Sequence, residues 1–215
     1  MMSPGRRLHI LHVVPMLRPG GMEQAMARVT RGLDDMRHSV AVLSGEPKIA
    51  DRFGPEVALH ALRARPRQIA LPRRLRGLIR RIRPDVVHVR NLSGWLDVAV
   101  ARAGLAVPMV WSFHGLDVAG EPPLRRRCVA GVLSRCTERL FTVSAASREL
   151  LARAFGMPRG RMDVIPNGVD IGRFAPGPAR AGGRRVVVGS VGSLSAVKNH
   201  ALLVTAVAAA VQAGD

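Results

Sequence analysis

Residues 8–26 read LHILHVVPMLRPGGMEQAM, an apolar run closed by a Gly-Gly turn and followed by apolar positions at helical spacing. A strand without polar alternation is covered on both faces, and such strands belong to parallel sheets flanked by helices. The same pattern recurs down the chain. Strands are predicted at 8–14, 39–43, 85–89, 108–112, 139–143 and 163–165, with helices at 22–33, 72–83, 94–103, 122–136 and 145–155. Alternation of this kind predicts an α/β fold built on one parallel sheet.

After Ile165 the texture changes to PNGVDIGRFAPGPARAGG, rich in Gly, Pro and Ala without a period. This reads as a linker, with Gly168 expected at positive φ and with Asn167 and Asp170 bonding locally. A strand over 184–191, a Gly-Ser turn, the Lys198-Asn199 pair and an apolar helix running to Asp215 then read as one βα unit. The predicted organisation is a first domain at 1–165, a linker at 166–184 and the start of a second domain at 185–215. One βα unit cannot bury its own apolar faces, so the reading expects a chain that stops inside its second domain.

Composition narrows the function classes. No apolar run reaches the roughly 18 residues that span a bilayer, and the N-terminal MMSPGRRLHILHVVPM is interrupted by His9, His12 and Pro15 and lacks a small-residue cleavage site. Cys128 and Cys136 fall on one predicted helix, about 12 Å apart along its axis, too far to bridge. Unpaired cysteines suit a reducing cytoplasm. Lys and Arg number 33 against 15 Asp and Glu, a net charge of +18, which favours an anionic partner. Nine arginines fall within 63–83, and a second group comprises Arg125 to Arg127, Arg135 and Arg139. Two readings of the first group stand side by side: a solvated face opposite the stripe Leu71, Leu75, Leu78, Ile79 and Ile82, or a surface for anionic membrane or acceptor phosphate. Nucleic acid is disfavoured as a partner, because aromatic content is 3% with no Tyr and no nucleic-acid-binding motif occurs.

Candidate site residues cluster where predicted strands end. Gly20 and Gly21 open a helix whose free N–H groups and positive end suit a phosphate or sugar oxygen; the bland alternative is a plain strand-to-helix turn with Glu23 complementing the dipole. Arg90, Asn91 and Ser93 follow the strand RPDVVHV, where open α/β sheets bind ligands. Arg90 suits a phosphate, while Asn91 and Ser93 suit sugar hydroxyls. His88, inside that strand, reads first as a histidine satisfied in the core. His114, after VPMVWSF and before Gly115 and Asp117, can donate to a phosphate or position an acceptor hydroxyl. Ser144 reads as a helix cap. Lys198 sits at a helix start suited to a diphosphate. The sequence has no DxD pair, GxSxG elbow or Walker loop, and no Cys/His spacing for zinc, so no metal site is expected.

In this order, HVVPMLRPGGMEQAM, RPDVVHVRN, FHGLD, VSAASREL, VIPNGVDIGRF and VGSLSAVKNH resemble glycosyltransferase family 4, the retaining enzymes of GT-B fold, across nearly the whole chain. The GGME and RPDVVHVRN forms look most like sugar transferases of bacterial exopolysaccharide clusters. The resemblance implies two Rossmann-like domains facing across a cleft, the first for acceptor and the second for a nucleoside-diphosphate sugar. That sugar is a substrate, and no cofactor or metal is implied. It further implies Gly20 and Gly21 against the donor diphosphate or transferred sugar, His114 at the reacting region and Lys198 on the diphosphate; Arg90, Asn91 and Ser93, from their place at the strand end, are assigned to the acceptor. Ser193 departs from the arginine that the family usually carries there, and the family's paired glutamates would lie beyond Asp215. The expected activity is sugar transfer to a lipid-linked or saccharide acceptor in cell-surface polysaccharide or glycolipid synthesis. The expected location is the cytoplasm, peripheral at the inner membrane face. A non-catalytic acceptor-binding or membrane-docking module and one half of a split enzyme are the competing readings. This chain alone is expected to transfer little or nothing.

Overall fold

The computed structural model describes residues 6–64, 68–115, 122–177, 186–194 and 196–213. The chain divides into two compact units, Met1–Gly168 and Val169–Asp215.

The first unit runs β1 (His9–Val14), α1 (Gly21–Gly32), β2 (Arg37–Val42), β3 (Ala58–Ala61), α2 (Ala70–Ile82), β4 (Val86–Arg90), α3 (Trp95–Arg102), β5 (Met109–Phe113), α4 (Leu124–Cys136), β6 (Arg139–Thr142), α5 (Ala145–Phe155) and β7 (Met162–Val164). These strands form one seven-stranded sheet in the order β3-β2-β1-β4-β5-β6-β7, and every pairing is parallel. The fold is thus the Rossmann-like α/β arrangement expected. The short strand β3 was not anticipated. Its sequence, ALHA, has neither a β-branched run nor an alternation, and its pairing with Val42 and the residues before it holds it extended.

Alternation along the strands separates two apolar layers. Leu11, Val13, Ala41, Val87, Val89 and Trp111 pack with Leu71, Leu75, Leu78 and Ile79 of α2 and with Trp95 and Val98 of α3. Val14, Val40 and Val42 pack on the other face with Met26 and Ala27 of α1. Full burial of each Val, Leu, Ile or Met side chain among them contributes about 1.5–3 kcal/mol. The Trp95 and Trp111 rings stack with centroids 4.4 Å apart, and neither indole N–H is left orphaned. Trp95 donates to Thr137 Oγ1 at 3.1 Å, and Trp111 donates to the Asn91 carbonyl at 2.8 Å. The second bond ties the core to the loop after β4.

Several arginines serve the fold. Arg76 donates to the carbonyls of Ala101 and Ala103 at the end of α3, Arg102 to those of Val107 and Cys136, and Arg161 to those of Ser134, Arg135 and Thr137 at the end of α4. A cation there satisfies carbonyls that lack intrahelical partners and opposes the negative end of the helix. Ser144 caps α5, its Oγ accepting from the Ser147 N–H at 3.1 Å. Cys128 and Cys136 are free and exposed.

The second unit contains α6 (His200–Ala213), preceded by a short 3-10 turn at Ala196–Lys198. Among its described residues the predicted strand over 184–191 does not form: 186–191 are irregular and exposed, and Arg184 lies outside the described residues. An isolated segment has no neighbour to supply ladder hydrogen bonds, whatever its valine content. Gly168 is not at positive φ. Asp170 does bond locally, accepting from the N–H groups of Gly172 and Arg173.

Two glycines give opposite expectations. Gly94 opens α3 at φ +84, and a Cβ there would collide with Leu43 Cδ1. Gly94→Ala is expected to lower unfolding stability by at least about 1–2 kcal/mol, the cost of a left-handed alanine. Gly77 lies mid-helix in α2 with nothing within 4 Å of a built Cβ, and Gly77→Ala should raise stability by about 0.5–1 kcal/mol. Urea unfolding of both variants checks the pair.

Candidate functional site

The order of strands reverses between β1 and β4, with β2 and β3 on one side and β5 to β7 on the other. Where parallel strands end at such a reversal, successive loops leave in opposite directions and a crevice opens. Gly20 and Gly21 follow β1, Arg90 ends β4 with Asn91 and Ser93 after it, and His114 follows β5. These residues therefore share the C-terminal edge of the sheet beside the reversal.

Gly20 is the N-cap of α1, with φ −167 and no side-chain cap. Its backbone is ordinary extended chain, so glycine is not required by conformation. Space is what differs: a Cβ on Gly20 would collide with the Glu23 carboxylate, whereas one on Gly21 would meet nothing within 4 Å. The first turn of α1 is thus open at Gly21, while at Gly20 the Glu23 carboxylate lies over the positive end of the helix. Glu23 serves its own helix, taking a hydrogen bond from its own backbone N–H. Burial raises its pKa, and the charge of Arg90 partly opposes that rise.

Arg90 is only 4% exposed. Its Nη1 lies 3.2 Å from His114 Nε2, and its Nε is buried without a protein partner. Burial pushes the guanidinium down to about 10, with Glu23 pulling the other way, so it remains a cation at neutral pH. His114 is pushed down to about 4, first by burial and then by Arg90. Its Nε2 also lies 3.0 Å from Ser112 Oγ, while its Nδ1 is buried with no partner. Gly115, at φ +118, carries the chain away in a conformation that a side chain disfavours. Asp117 lies outside the described residues.

Asn91 holds these parts in register. It adopts φ +60, a region that asparagine tolerates better than most residues. Its Oδ1 accepts the His114 N–H at 2.8 Å, and its Nδ2 reaches Met22 Sδ at 3.5 Å. The side chain proposed from sequence for sugar hydroxyls is thus engaged in joining the loops after β4 and β5 to the first turn of α1. Ser93 is exposed in the turn before α3.

Behind this edge runs a polar row that sequence reasoning did not assemble. Ser112 Oγ lies 2.8 Å from His88 Nε2, the His88 and His12 rings are 5.4 Å apart, and His12 Nε2 lies 3.2 Å from His38 Nδ1. His38 Nε2 in turn donates to the Leu33 carbonyl at 3.1 Å. Burial, then the charge of Arg90, hold His12 and His88 well below the usual histidine range. The signal was present as single polar residues in apolar strands, but only the register that pairs His12 with His88 puts them on one face.

Lys198 belongs to the second unit, where it is exposed at the end of the 3-10 turn. A Cβ on Gly192 would lie 3.4 Å from Lys198 Cγ, and His200 Nε2 lies 3.1 Å from the Ser193 carbonyl. These contacts bring Gly192 and Ser193 beside Lys198 and His200. Among the described residues no group of His, Cys, Asp and Glu is arranged to hold a metal ion, and no helix is long and apolar enough to cross a membrane.

Comparison with known families gives a match to Glycosyltransferase Family 4 over residues 19–173, most of the chain. The protein belongs to glycosyltransferase family 4. A curated relative, D-inositol 3-phosphate glycosyltransferase of Paenarthrobacter aurescens, is 28% identical over 77% of this chain and 48% of its own length. The chain therefore spans about half the length of that relative. Among solved structures, a glycosyltransferase of Rickettsia africae superposes with TM-score 0.65 at 16% identity, covering 77% of this chain and 44% of that one. Anabaena HepE, in complex with UDP and glucose, superposes with TM-score 0.63 at 18% identity, covering 80% and 47%. A UDP-N-acetylglucosamine 2-epimerase of Rickettsia bellii, at TM-score 0.54 and 13% identity over 75% and 45%, shares the architecture too. At such identities the likeness speaks to fold alone, and the family assignment rests on the sequence match.

The buried histidines predict acid lability with a definite sign. Their folded pKa values lie below the unfolded value of 6.5, so the unfolded chain takes up protons first. Their contribution to stability is fully present above pH 6.5 and is lost as pH falls toward about 4, the folded value for His114. The urea midpoint of the first unit should be level above pH 7 and lower at pH 5, with roughly 1–2 kcal/mol of the loss from His114. In His114→Gln the decline should be correspondingly shallower.

Proposed function

We propose that this family member works on the acceptor side of sugar transfer from a nucleoside-diphosphate sugar to a hydroxyl of a lipid-linked or saccharide acceptor, in cell-surface polysaccharide or glycolipid synthesis. The observation that carries the reading is the meeting of the first turn of α1, open at Gly21, with the buried Arg90 cation and the His114 imidazole at the strand-order reversal. The naming of one relative as a D-inositol 3-phosphate glycosyltransferase and the UDP and glucose bound to HepE agree with it.

In such a transfer the bond from the anomeric carbon to the diphosphate breaks, and a bond to the acceptor oxygen forms. Negative charge gathers on the departing phosphate oxygens, and stabilising it is the largest task. On this chain the α1 amides at Gly21 and Met22, the fixed charge of Arg90 and a hydrogen bond from His114 are the groups suited to it. Lys198, by its position before α6, is assigned to the donor diphosphate, and Ser93 to the acceptor. With His114 held near 4, an imidazolium contributes nothing at neutral pH, and the side chain works as a neutral group.

The native gene product, incubated with labelled nucleoside-diphosphate sugars and a membrane lipid extract from its source, is expected to transfer label to an extractable product. Replacing His114 by Ala should lower kcat by about 10²–10³. Absence of transfer from every donor sugar, or a His114→Ala variant as fast as the parent, would overturn the assignment.

The same reading includes docking on an anionic membrane face, supported by the arrangement of α2. Its apolar stripe is buried while Arg73, Arg80 and Arg81 are exposed. By contrast, Arg74 and Arg76 are turned to carbonyls of neighbouring segments. Arg65 and Arg67 lie outside the described residues. At about 1 kcal/mol per cation near an anionic surface, changing Arg73, Arg80 and Arg81 together to Gln should weaken flotation with phosphatidylserine vesicles about 100-fold at low salt. Unchanged flotation would sink the docking.

A further inference from the structure

Resting on the transfer reading, a further step concerns which proton His114 carries. A guanidinium has only donors. With Arg90 Nη1 at 3.2 Å from His114 Nε2, that nitrogen must offer its lone pair, since a proton there would set N–H against N–H. The single proton of the neutral ring then resides on Nδ1. Ser112 carries the choice on to a second ring. Its Oγ stands between His88 Nε2 at 2.8 Å and His114 Nε2 at 3.0 Å; with the His114 lone pair set by Arg90, the hydroxyl proton goes to His114 and the oxygen accepts from His88. The two rings are thereby set in opposite tautomers, Nδ1–H at His114 and Nε2–H at His88.

The geometry points to Arg90 and Ser112 as positioning residues that lock His114 as its Nδ1–H tautomer, leaving a donor, and no basic nitrogen, for a ligand oxygen. Three independent features converge on this. His114 Nδ1 is buried with no protein partner, and an unsatisfied buried donor costs about 1–3 kcal/mol unless something completes it. The backbone N–H of His114 is fixed by Asn91 Oδ1 at 2.8 Å, and the ring is held through Nε2 by Arg90 and Ser112. Arg90 is itself too deeply buried to swing away. His114 would therefore act by hydrogen bonding to an oxygen of phosphate or sugar, while proton abstraction by Nε2 is blocked by the cation that sits on it.

The test is a long-range ¹H–¹⁵N correlation spectrum of the ¹⁵N-histidine-labelled chain at neutral pH, with His114 assigned by its disappearance in His114→Gln. The expected result is a protonated Nδ1 and a lone-pair Nε2 at His114. An Nε2–H tautomer, or a doubly protonated ring, overturns the proposal on the unmodified protein, whether or not any variant folds. Arg90→Met should move the His114 Nε2 signal from the lone-pair range toward the N–H range, and Arg90→Lys should keep it in place. A folded Arg90→Met with an unchanged tautomer removes Arg90 from the role, and an Nδ1–H form at His88 removes Ser112. Added pyrophosphate and added glucose distinguish the two sources of the oxygen: a shifted Nδ1–H signal with one of them names it, and no shift with either overturns the donor role. The tautomer is read without turnover. Failure to transfer sugar thus leaves it standing, and a wrong tautomer leaves the transferase reading standing.

Discussion

Parallel pairing of β1 with β4 is the constraint from which the site follows. Every strand in the sheet points the same way, so every loop that could carry chemistry leaves from one edge. Because β1 is paired with β2 on one side and β4 on the other, the chain must reverse its winding there, and the α1 and α3 entrances separate. The register that aligns His12 with His88 also stacks alternate residues of neighbouring strands into a row. Slipping it by one residue would send that row to the apolar layer beneath α2 and α3, where its polar groups would have no partners.

Deep placement of a cation gives the edge its character. Arg90 is held among imidazoles and a half-buried carboxylate, Glu23, and its charge adds to burial in depressing the basicity of His12, His88 and His114. A cation in such surroundings is costly unless it is bonded, and the Arg90 Nε is without a protein partner. An incoming anion would find a charge already desolvated and positioned, and so would bring little reorganisation with it. The opposite economy rules elsewhere in the chain. Arg76, Arg102 and Arg161 finish helices by meeting their last carbonyls, so part of the large basic excess is architectural.

Sequence disclosed the layers of this fold because uninterrupted apolar runs and helical stripes are local signals. The Leu71, Leu75, Leu78 and Ile79 stripe lies buried in α2 as its spacing required. Where formation depends on a neighbour, local signals misled: β3 exists because β2 holds it, and the valines of 186–191 remain irregular where no strand accompanies them. The edge residues Gly20, Gly21, Arg90, Asn91 and His114 were visible as strand ends. Their division of labour was not. Nothing in the string NLSGW distinguishes an asparagine that meets a sugar from one that fastens His114 and Met22 in place, and nothing in MVWSF marks Ser112 as the link between two histidines. Those roles arise from contacts over more than twenty residues of separation, except for the Ser112–His114 pair, where strand geometry turns a spacing of two into a shared face.

The helix α6 has no acidic or basic residue in its terminal turns and no buried residue along its length, and Val186, Val191 and Leu194 are likewise open to solvent. Against this apolar surface stands a net charge of +18, and the two act on the same molecules in opposite senses. At low ionic strength mutual repulsion keeps copies apart. Near physiological salt the repulsion is screened beyond about 8 Å, while the apolar attraction is untouched. Salt therefore works as a colloidal switch for this chain, removing the repulsion between its copies while leaving the apolar surface to act alone.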